Sequence, residues 1–171
     1  MIDYVRRELP ADADGIRELH ERAFGQPHEG RLIDALRASS GRRISLVAER
    51  DGLLAGHIWF SPVTIESLPK SRQGMGLGPV AVLPEFQRQG IGSQLIRAGL
   101  DECRSLGEEY VVVLGHVDYY PRFGFVAAAT KNLSCVYPAP PGAFMVLELR
   151  EGALTDCHGV VHYGPEFAAL A

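Results

Sequence analysis

The chain has 171 residues, a mass of 18.7 kDa and a formal net charge of -4. Its 46% hydrophobic and 22% charged residues are typical of a globular protein, exclude a disordered chain and, at this length, predict a single domain over residues 1–171. The acidic balance argues against a nucleic-acid partner, which would require clustered positive charge.

The three cysteines, Cys103, Cys135 and Cys157, are widely spaced and include no C-x-x-C pair. This spacing is typical neither of a disulfide framework nor of a zinc site, so it favours a reducing, cytoplasmic location and no metal. The polar N-terminus lacks the apolar segment of a signal peptide. The longest apolar run, Tyr110 to Gly115, is far shorter than the ~20 residues that cross a bilayer, so we expect no membrane partner.

Hydrophobic periodicity and turn residues predict a mixed α/β fold. In chain order the predicted elements are helices at 10–24 and 29–38, strands at 44–50, 53–65 and 77–83, a helix at 93–106, and strands at 110–114, 123–128, 143–149 and 159–164. Asp51-Gly52 between the first two strands is the strongest short-range hairpin signal. Residues 68–76 are polar and predict a loop, and Pro79 predicts an edge, a bulge or a gap in its strand because proline donates no backbone hydrogen bond.

The clearest chemical signal is the segment Gln87-Arg-Gln-Gly-Ile-Gly92, which joins a predicted strand to a predicted helix. Glycine lets backbone N–H groups approach a ligand closely, and a helix N-terminus attracts anions through its unpaired N–H groups and its dipole. The segment therefore predicts a phosphate-binding loop, although a pattern this short also fits a plain tight turn. It matches neither the Rossmann fingerprint nor the Walker A loop.

A longer segment around this loop, Val80-Ala-Val-Leu-Pro-Glu-Phe-Gln-Arg-Gln-Gly-Ile-Gly-Ser-Gln-Leu-Ile96, resembles the central motif of the GNAT superfamily of N-acetyltransferases. Asp118-Tyr-Tyr-Pro-Arg-Phe-Gly-Phe125 resembles the downstream Tyr-x-x-x-Gly-Phe segment of that family, in a wording similar to a bacterial subgroup of predicted acetyltransferases. The resemblance extends from about Leu9 to Leu149. It implies a mostly antiparallel central sheet with splayed middle strands, flanked by helices.

The resemblance also implies an activity, the transfer of an acetyl group from acetyl-coenzyme A (acetyl-CoA) to a primary amine by direct attack in a ternary complex. In the family, one strand binds the pantetheine arm and the following loop binds the pyrophosphate. The matching residues are Val80, Ala81 and Val82 for the arm, and Gln87, Arg88, Gln89, Gly90, Ile91, Gly92 and Ser93 for the pyrophosphate. Many relatives carry arginine where this chain has Gln87 or Gln89, so some charge attraction is lost, which Arg88 can offset.

The resemblance assigns Tyr120 to the departing thiol, with Tyr119 as its neighbouring alternative; without the resemblance, Tyr120 reads as a packing residue. A phenol with a pKa of ~10 is a weaker acid than a thiol near ~8.5, so a hydrogen bond to the thiolate needs less tuning than full proton transfer. The general base stays open among His116, His57, Glu66 and water.

Two further functions fit the same scaffold. One is a transferase for a longer acyl group carried by coenzyme A (CoA), and the other is a non-catalytic sensor that binds the coenzyme. For the transferase we expect an amine-bearing acceptor as the partner, and either a monomer or a homodimer.

Overall fold

The computed structural model describes residues 4–39 and 41–170, and within them the chain is a mixture of helices and strands. The helices are α1 (Ala13–Phe24), α2 (His28–Ala38) and α3 (Ile91–Ser105). The strands are β1 (Tyr4–Arg7), β2 (Ile44–Arg50), β3 (Leu53–Glu66), β4 (Arg72–Val82), β5 (Tyr110–Leu114), β6 (Val126–Ala127), β7 (Leu133–Cys135), β8 (Phe144–Glu148) and β9 (Gly159–Tyr163). The expected mixed α/β fold is confirmed. No helix in this part of the chain is both long enough and apolar enough to cross a membrane.

Contacts along the chain define two compact units. The first consists mainly of residues 1–60 and 78–102, and the second mainly of residues 61–77 and 103–169. β3 and β4 each contribute residues to both units.

The first unit contains the hairpin that the sequence predicted. β2 and β3 are antiparallel, with Ile44 opposite Phe60, and β1 continues the sheet on the other side of β2. Asp51 (φ 53°) and Gly52 (φ 73°) are both left-handed, as the tight turn between two twisted strands requires. α1 and α2 pack against each other and bury the apolar residues that recur at helical spacing, Ile16 and Leu19 on α1 and Leu32, Ile33 and Leu36 on α2.

Two glycines allow α3 to lie close to β3 in the first unit. A Cβ on Gly56 of β3 would lie 3.0 Å from Cγ2 of Ile91 and 2.9 Å from Cδ1 of Leu95. A Cβ on Gly99 of α3 would overlap with the ring of Phe60. Because both positions lack a side chain, helix and strand approach more closely than two larger residues would permit.

In the second unit, β4, β5, β8 and β6 are successive neighbours, and β9 lies between β3 and β7. The pairings β4–β5 and β7–β9 are parallel, whereas β3–β9, β5–β8 and β6–β8 are antiparallel. The β4–β5 register covers Met75–Leu77 and Val111–Val113, and it ends two residues before Pro79.

The predicted loop at residues 68–76 is wrong in its second half, because β4 begins at Arg72. Gly74 and Gly76 read as loop residues, but they are needed in the strand. A Cβ on Gly74 would lie 2.5 Å from Cζ of Tyr110, and one on Gly76 would lie 2.9 Å from Cε1 of Tyr163. Aromatic rings occupy the space that side chains would fill, and packing of this kind leaves no signal in local sequence.

Three further differences between the predicted and the observed elements concern short strands. The strand expected at residues 123–128 is reduced to Val126–Ala127 and is followed by a 3-10 helix, Ala128–Lys131. β1 and β7 were not predicted, because strands of three or four residues carry too little alternation to be recognised and are set by their partners β2 and β9.

Gly99→Ala tests the close packing of α3 on β3. At an exposed position of a helix, replacing glycine with alanine stabilises the helix by about 1 kcal/mol. Here we expect the protein to lose about 1–3 kcal/mol of unfolding free energy, because the fully buried ring of Phe60 overlaps with the added Cβ and must shift within the core. Urea unfolding of Gly99→Ala, of Phe60→Leu and of Gly99→Ala/Phe60→Leu measures the effect. The double variant should lose less than the two single changes added together, and strict additivity would contradict the proposed overlap.

Candidate functional site

The predicted phosphate loop lies between β4 and α3. After Val82 the chain forms a 3-10 helix, Pro84–Phe86, and then reaches α3 through residues 87–90. α3 begins two residues earlier than expected, because the carbonyl oxygen of Gly90 accepts a hydrogen bond from the Gln94 N–H (3.0 Å). Ile91 and Gly92 therefore lie in the first turn, where an α-helix offers no acceptor to backbone N–H groups.

The backbone of the loop has a left-handed residue on each side of Gln89. Arg88 has φ 60° and Gly90 has φ 86°. Glycine adopts this conformation without cost, whereas a residue such as arginine does so at a cost of order 1 kcal/mol. Alternation of handedness turns successive N–H groups toward one side, which is the arrangement that binds anions in many phosphate sites. The geometry at residues 88–92 is therefore suited to a phosphate group.

The side chains of both loop glutamines donate hydrogen bonds to backbone carbonyl groups just before the loop. Nε2 of Gln87 donates to the carbonyl oxygen of Val82 (3.0 Å), and Nε2 of Gln89 donates to the carbonyl oxygen of Glu85 (3.2 Å). Oε1 of Gln89 accepts a hydrogen bond from Nη1 of Arg50, a residue at the end of β2 that sequence reasoning missed. These side chains hold the loop in place, and Arg50 brings a positive charge to it.

The strand segment assigned to the pantetheine arm is the end of β4. Ala81 is buried, and Val80 and Val82 are half-buried. The β4–β5 register ends at Leu77, so all three residues lie outside that ladder.

Tyr120 lies in the second unit, at the start of the 3-10 helix Tyr120–Phe123. Its ring packs edge-on against Tyr119 and Phe125, with centroid distances of 5.2 Å and 5.9 Å. It also lies over Gly115, where a Cβ would overlap with the ring. Burial, with a smaller contribution from Tyr119, raises the pKa of Tyr120 to about 12, so its hydroxyl stays protonated at neutral pH.

Residues 5–128 match the family model of the acetyltransferase (GNAT) domain. The chain belongs to the GNAT acetyltransferases. It is 37% identical over 164 residues to the uncharacterized N-acetyltransferase YhbS of Escherichia coli strain K12, an alignment that covers 95% of this chain and 97% of that protein.

Two solved structures extend the comparison. The crystal structure of E. coli YhbS in complex with CoA superimposes with a TM-score of 0.89, at 36% identity and with 96% of this chain and 91% of that chain covered. A GNAT family acetyltransferase from Brucella melitensis in complex with acetyl-CoA superimposes with a TM-score of 0.79, at 40% identity and with 96% and 97% covered. The family and the fold expected from the sequence are thereby confirmed for this GNAT acetyltransferase.

The three side chains considered as general base lie in different surroundings. His116 is exposed directly after β5, and its carbonyl oxygen accepts from the backbone N–H groups of Tyr119 and Tyr120. Glu66 is exposed at the end of β3, where Oε2 lies 2.9 Å from Nε2 of His162. His57, in contrast, is fully buried in the first unit.

His57 belongs to a hydrogen-bonded chain that runs from His20 to Glu8. Nδ1 of His57 lies 2.8 Å from Nε2 of His20, and Nε2 of His57 lies 2.7 Å from Oγ of Ser45. Ser45 donates to Oε2 of Glu8, whose Oε1 accepts from Nε of Arg37 (2.7 Å). Both ring nitrogens of His57 are thus engaged. His20, Ser45 and Glu8 were missed because no local motif connects residues so distant in sequence.

The hydrogen bonds define the protonation of this chain. Because the Ser45 hydroxyl donates to Glu8, its oxygen accepts from His57, which then carries its proton on Nε2. Nδ1 of His57 therefore accepts from Nε2 of His20, and the buried Nδ1 of His20 has no partner. Every donor points toward the carboxylate of Glu8, and both histidines are neutral.

The pKa values of these groups depend on the same contacts. Burial, with smaller contributions from His57 and Arg37, lowers the pKa of His20 to about 3. Burial also lowers the pKa of His57, although Glu8 opposes the change. Burial raises the pKa of Glu8, but the nearby His57 and the hydrogen bonds from Arg37 and Ser45 outweigh it and hold that pKa at about 2. A charged histidine is therefore disfavoured here, and an ionised Glu8 is favoured.

In the described part of the chain, no group of three or more His, Cys, Asp or Glu side chains could hold a metal ion.

The buried chain predicts a stability that depends on pH. Histidines with a lowered pKa in the folded state stabilise the fold above their unfolded pKa of ~6.5, and this contribution is lost as the pH falls below that value. Each histidine can lower the free energy of unfolding by up to ~1.4 kcal/mol for each pH unit below ~6.5. Glu8 acts in the same direction below ~4.3, the pKa of a glutamate in an unfolded chain.

Urea unfolding between about pH 8 and about pH 5 measures this effect. His20→Gln keeps an N–H donor toward His57 but removes one titrating group, so we expect a flatter dependence on pH. His28→Gln, at an exposed position of α2, is the matched control and should follow the wild-type protein. Identical slopes for His20→Gln and the wild-type protein would contradict the assignment of neutral, buried histidines.

Proposed function

We propose that residues 1–171 act as a single N-acetyltransferase domain that transfers the acetyl group of acetyl-CoA to a primary amine in a ternary complex. The observation that carries the proposal is the loop at residues 87–92, where left-handed backbone leads into the open first turn of α3. Two solved structures support the proposal: a protein 36% identical to this chain is in complex with CoA, and one 40% identical is in complex with acetyl-CoA.

Acetyl-CoA is held mainly by main-chain groups in this proposal. Val80, Ala81 and Val82 bind the pantetheine arm, and the backbone N–H groups of residues 87–93 bind the pyrophosphate. A helix end contributes ~0.3–2 kcal/mol toward an anion, so several donors are needed together. Since backbone donors do not depend on side-chain identity, glutamine in place of arginine at positions 87 and 89 is compatible with binding.

In the chemical step, the neutral amine attacks the carbonyl carbon of the thioester, and the bond from that carbon to sulfur breaks. Tyr120 donates a hydrogen bond to the departing thiolate, because its raised pKa keeps the hydroxyl protonated. The amine loses a proton to water or to an exposed base such as His116 or Glu66. An α-amine near pKa ~7.8 needs only ~1 kcal/mol for deprotonation at neutral pH, whereas a lysine amine near ~10.4 needs ~4.6 kcal/mol.

The proposal includes a cytoplasmic location and an amine-bearing acceptor. In the described part of the chain, no disulfide joins Cys103, Cys135 or Cys157, as is usual for proteins in a reducing compartment. Both a monomer and a homodimer are compatible with this chemistry.

Coenzyme binding and turnover test the proposal separately. Acetyl-CoA at a hundred times its dissociation constant should stabilise the protein by ~2.7 kcal/mol and raise its Tm. Release of free CoA thiol should then depend on an amine, across a panel of peptides, polyamines, amino acids and aminoglycosides.

Other outcomes would replace the proposal. Activity with longer acyl-CoA donors alone would indicate a different acyltransferase. A Tm shift without thiol release from any amine would indicate a coenzyme sensor, and no shift with either acetyl-CoA or CoA would refute coenzyme binding.

Tyr120→Phe tests the hydrogen bond to the leaving thiolate. We expect kcat to fall roughly 10- to 100-fold, because the donor acts mainly in the transition state, while the Kd of acetyl-CoA stays nearly unchanged. Tyr119→Phe is the matched control, since it removes the same hydroxyl from the adjacent ring. An unchanged kcat in Tyr120→Phe would refute the role, and a loss confined to Tyr119→Phe would transfer it to that residue.

A further inference from the structure

We propose that Arg50 is a phosphate-binding residue of the coenzyme site, supplying from the end of β2 the positive charge that the loop lacks at positions 87 and 89. This inference rests on the proposed function, since it requires the coenzyme to occupy the loop between β4 and α3. Arg50 lies far from the loop in sequence, but within the same compact unit.

The two loop glutamines do not replace that charge themselves. Nε2 of Gln87 is directed to the carbonyl oxygen of Val82, and Nε2 of Gln89 to the carbonyl oxygen of Glu85. The remaining polar atom of Gln89, its Oε1, accepts from Arg50. The carboxamide of Gln89 therefore connects the arginine to the backbone of the loop.

The guanidinium of Arg50 is held in position. It donates Nη1 to Gln89, and its Cζ lies 5.0 Å from the centroid of the Phe86 ring. Its side chain is only 24% exposed. A side chain already restricted in this way loses little conformational entropy on binding, which favours affinity.

Arg50 also keeps most of its charge available. Its ion-pair partner Asp51 lies 3.9 Å from Nε and is 79% exposed, so the two attract each other weakly in water. Arg22 provides the contrast, because its Nη2 contacts both carboxylate oxygens of Glu85, at 2.8 Å and 3.1 Å. Of these two arginines near the loop, Arg50 is the one that a neutral amide positions and whose carboxylate partner is the more distant.

A guanidinium has five N–H donors in a planar fork that matches the oxygens of a phosphate, and the contact with Gln89 uses one of them. CoA carries such groups in its pyrophosphate and in its 3′-phosphate. The pyrophosphate and the 3′-phosphate present the same kind of oxygen acceptors to Arg50, and the experiment below distinguishes between them.

The test measures the Kd of CoA by titration calorimetry at low ionic strength. Arg50→Gln should raise that Kd about tenfold or more, which is the usual effect of losing a charge-assisted hydrogen bond. Arg50→Met removes the same charge but keeps an apolar contact with Phe86, and it should behave alike. Arg31→Gln, at an exposed position of α2, is the control for net charge and should change the Kd less than about twofold.

Dephospho-CoA, which lacks the 3′-phosphate, assigns the contact. An equal loss with CoA and dephospho-CoA supports binding of the pyrophosphate, and a loss confined to CoA supports binding of the 3′-phosphate. In both cases added salt should reduce the difference between Arg50→Gln and the wild-type protein.

The inference is overturned if the wild-type protein binds CoA and both Arg50 variants bind it within about twofold of that affinity. Failure of the folded wild-type protein to bind CoA would instead overturn the proposed function, and this inference together with it.

Discussion

The close approach of α3 to β3 is the constraint on which the loop at residues 87–92 depends. A helix N-terminus binds an anion only if its first turn is held at a defined place, and here the helix is held by packing without side chains at Gly56 and Gly99. Ile91 and Leu95 lie over Gly56, and Phe60 lies over Gly99. Because these contacts fix α3 from its first turn to its middle, the loop before it has little freedom, and the left-handed backbone at residues 88 and 90 can be maintained.

The polar groups of the first unit form two sets that differ in burial. The chain from His20 to Glu8 is buried, neutral at its histidines and ionised at its carboxylate, so its contribution is structural and sensitive to acid. The groups around the loop are exposed or half-buried, and their charges remain accessible to a ligand. Burial distinguishes the two sets, since a charge can serve a ligand only where solvent or the ligand can reach it.

The sequence was a good guide wherever structure is determined locally. Asp51-Gly52 predicted the hairpin because few residues adopt two successive left-handed conformations, and the motif from Val80 to Ile96 predicted a strand, a loop and a helix in the correct order. It failed at β4, where Gly74 and Gly76 look like loop residues until the rings of Tyr110 and Tyr163 are placed over them. Propensity describes what a residue allows, whereas packing decides which of the allowed states is used.

By itself, the sequence determined the family, the fold class and the position of the loop between β4 and α3, because these depend on short motifs and on hydrophobic periodicity. Only the tertiary structure decided that His57 is a buried partner of His20 and Ser45, and that Gln89 holds Arg50 at the loop. His20 and His57 are 37 residues apart, and Arg50 and Gln89 are 39 residues apart. Contacts between such distant residues arise from the folding of strands and helices onto each other, and no local pattern of side chains encodes them.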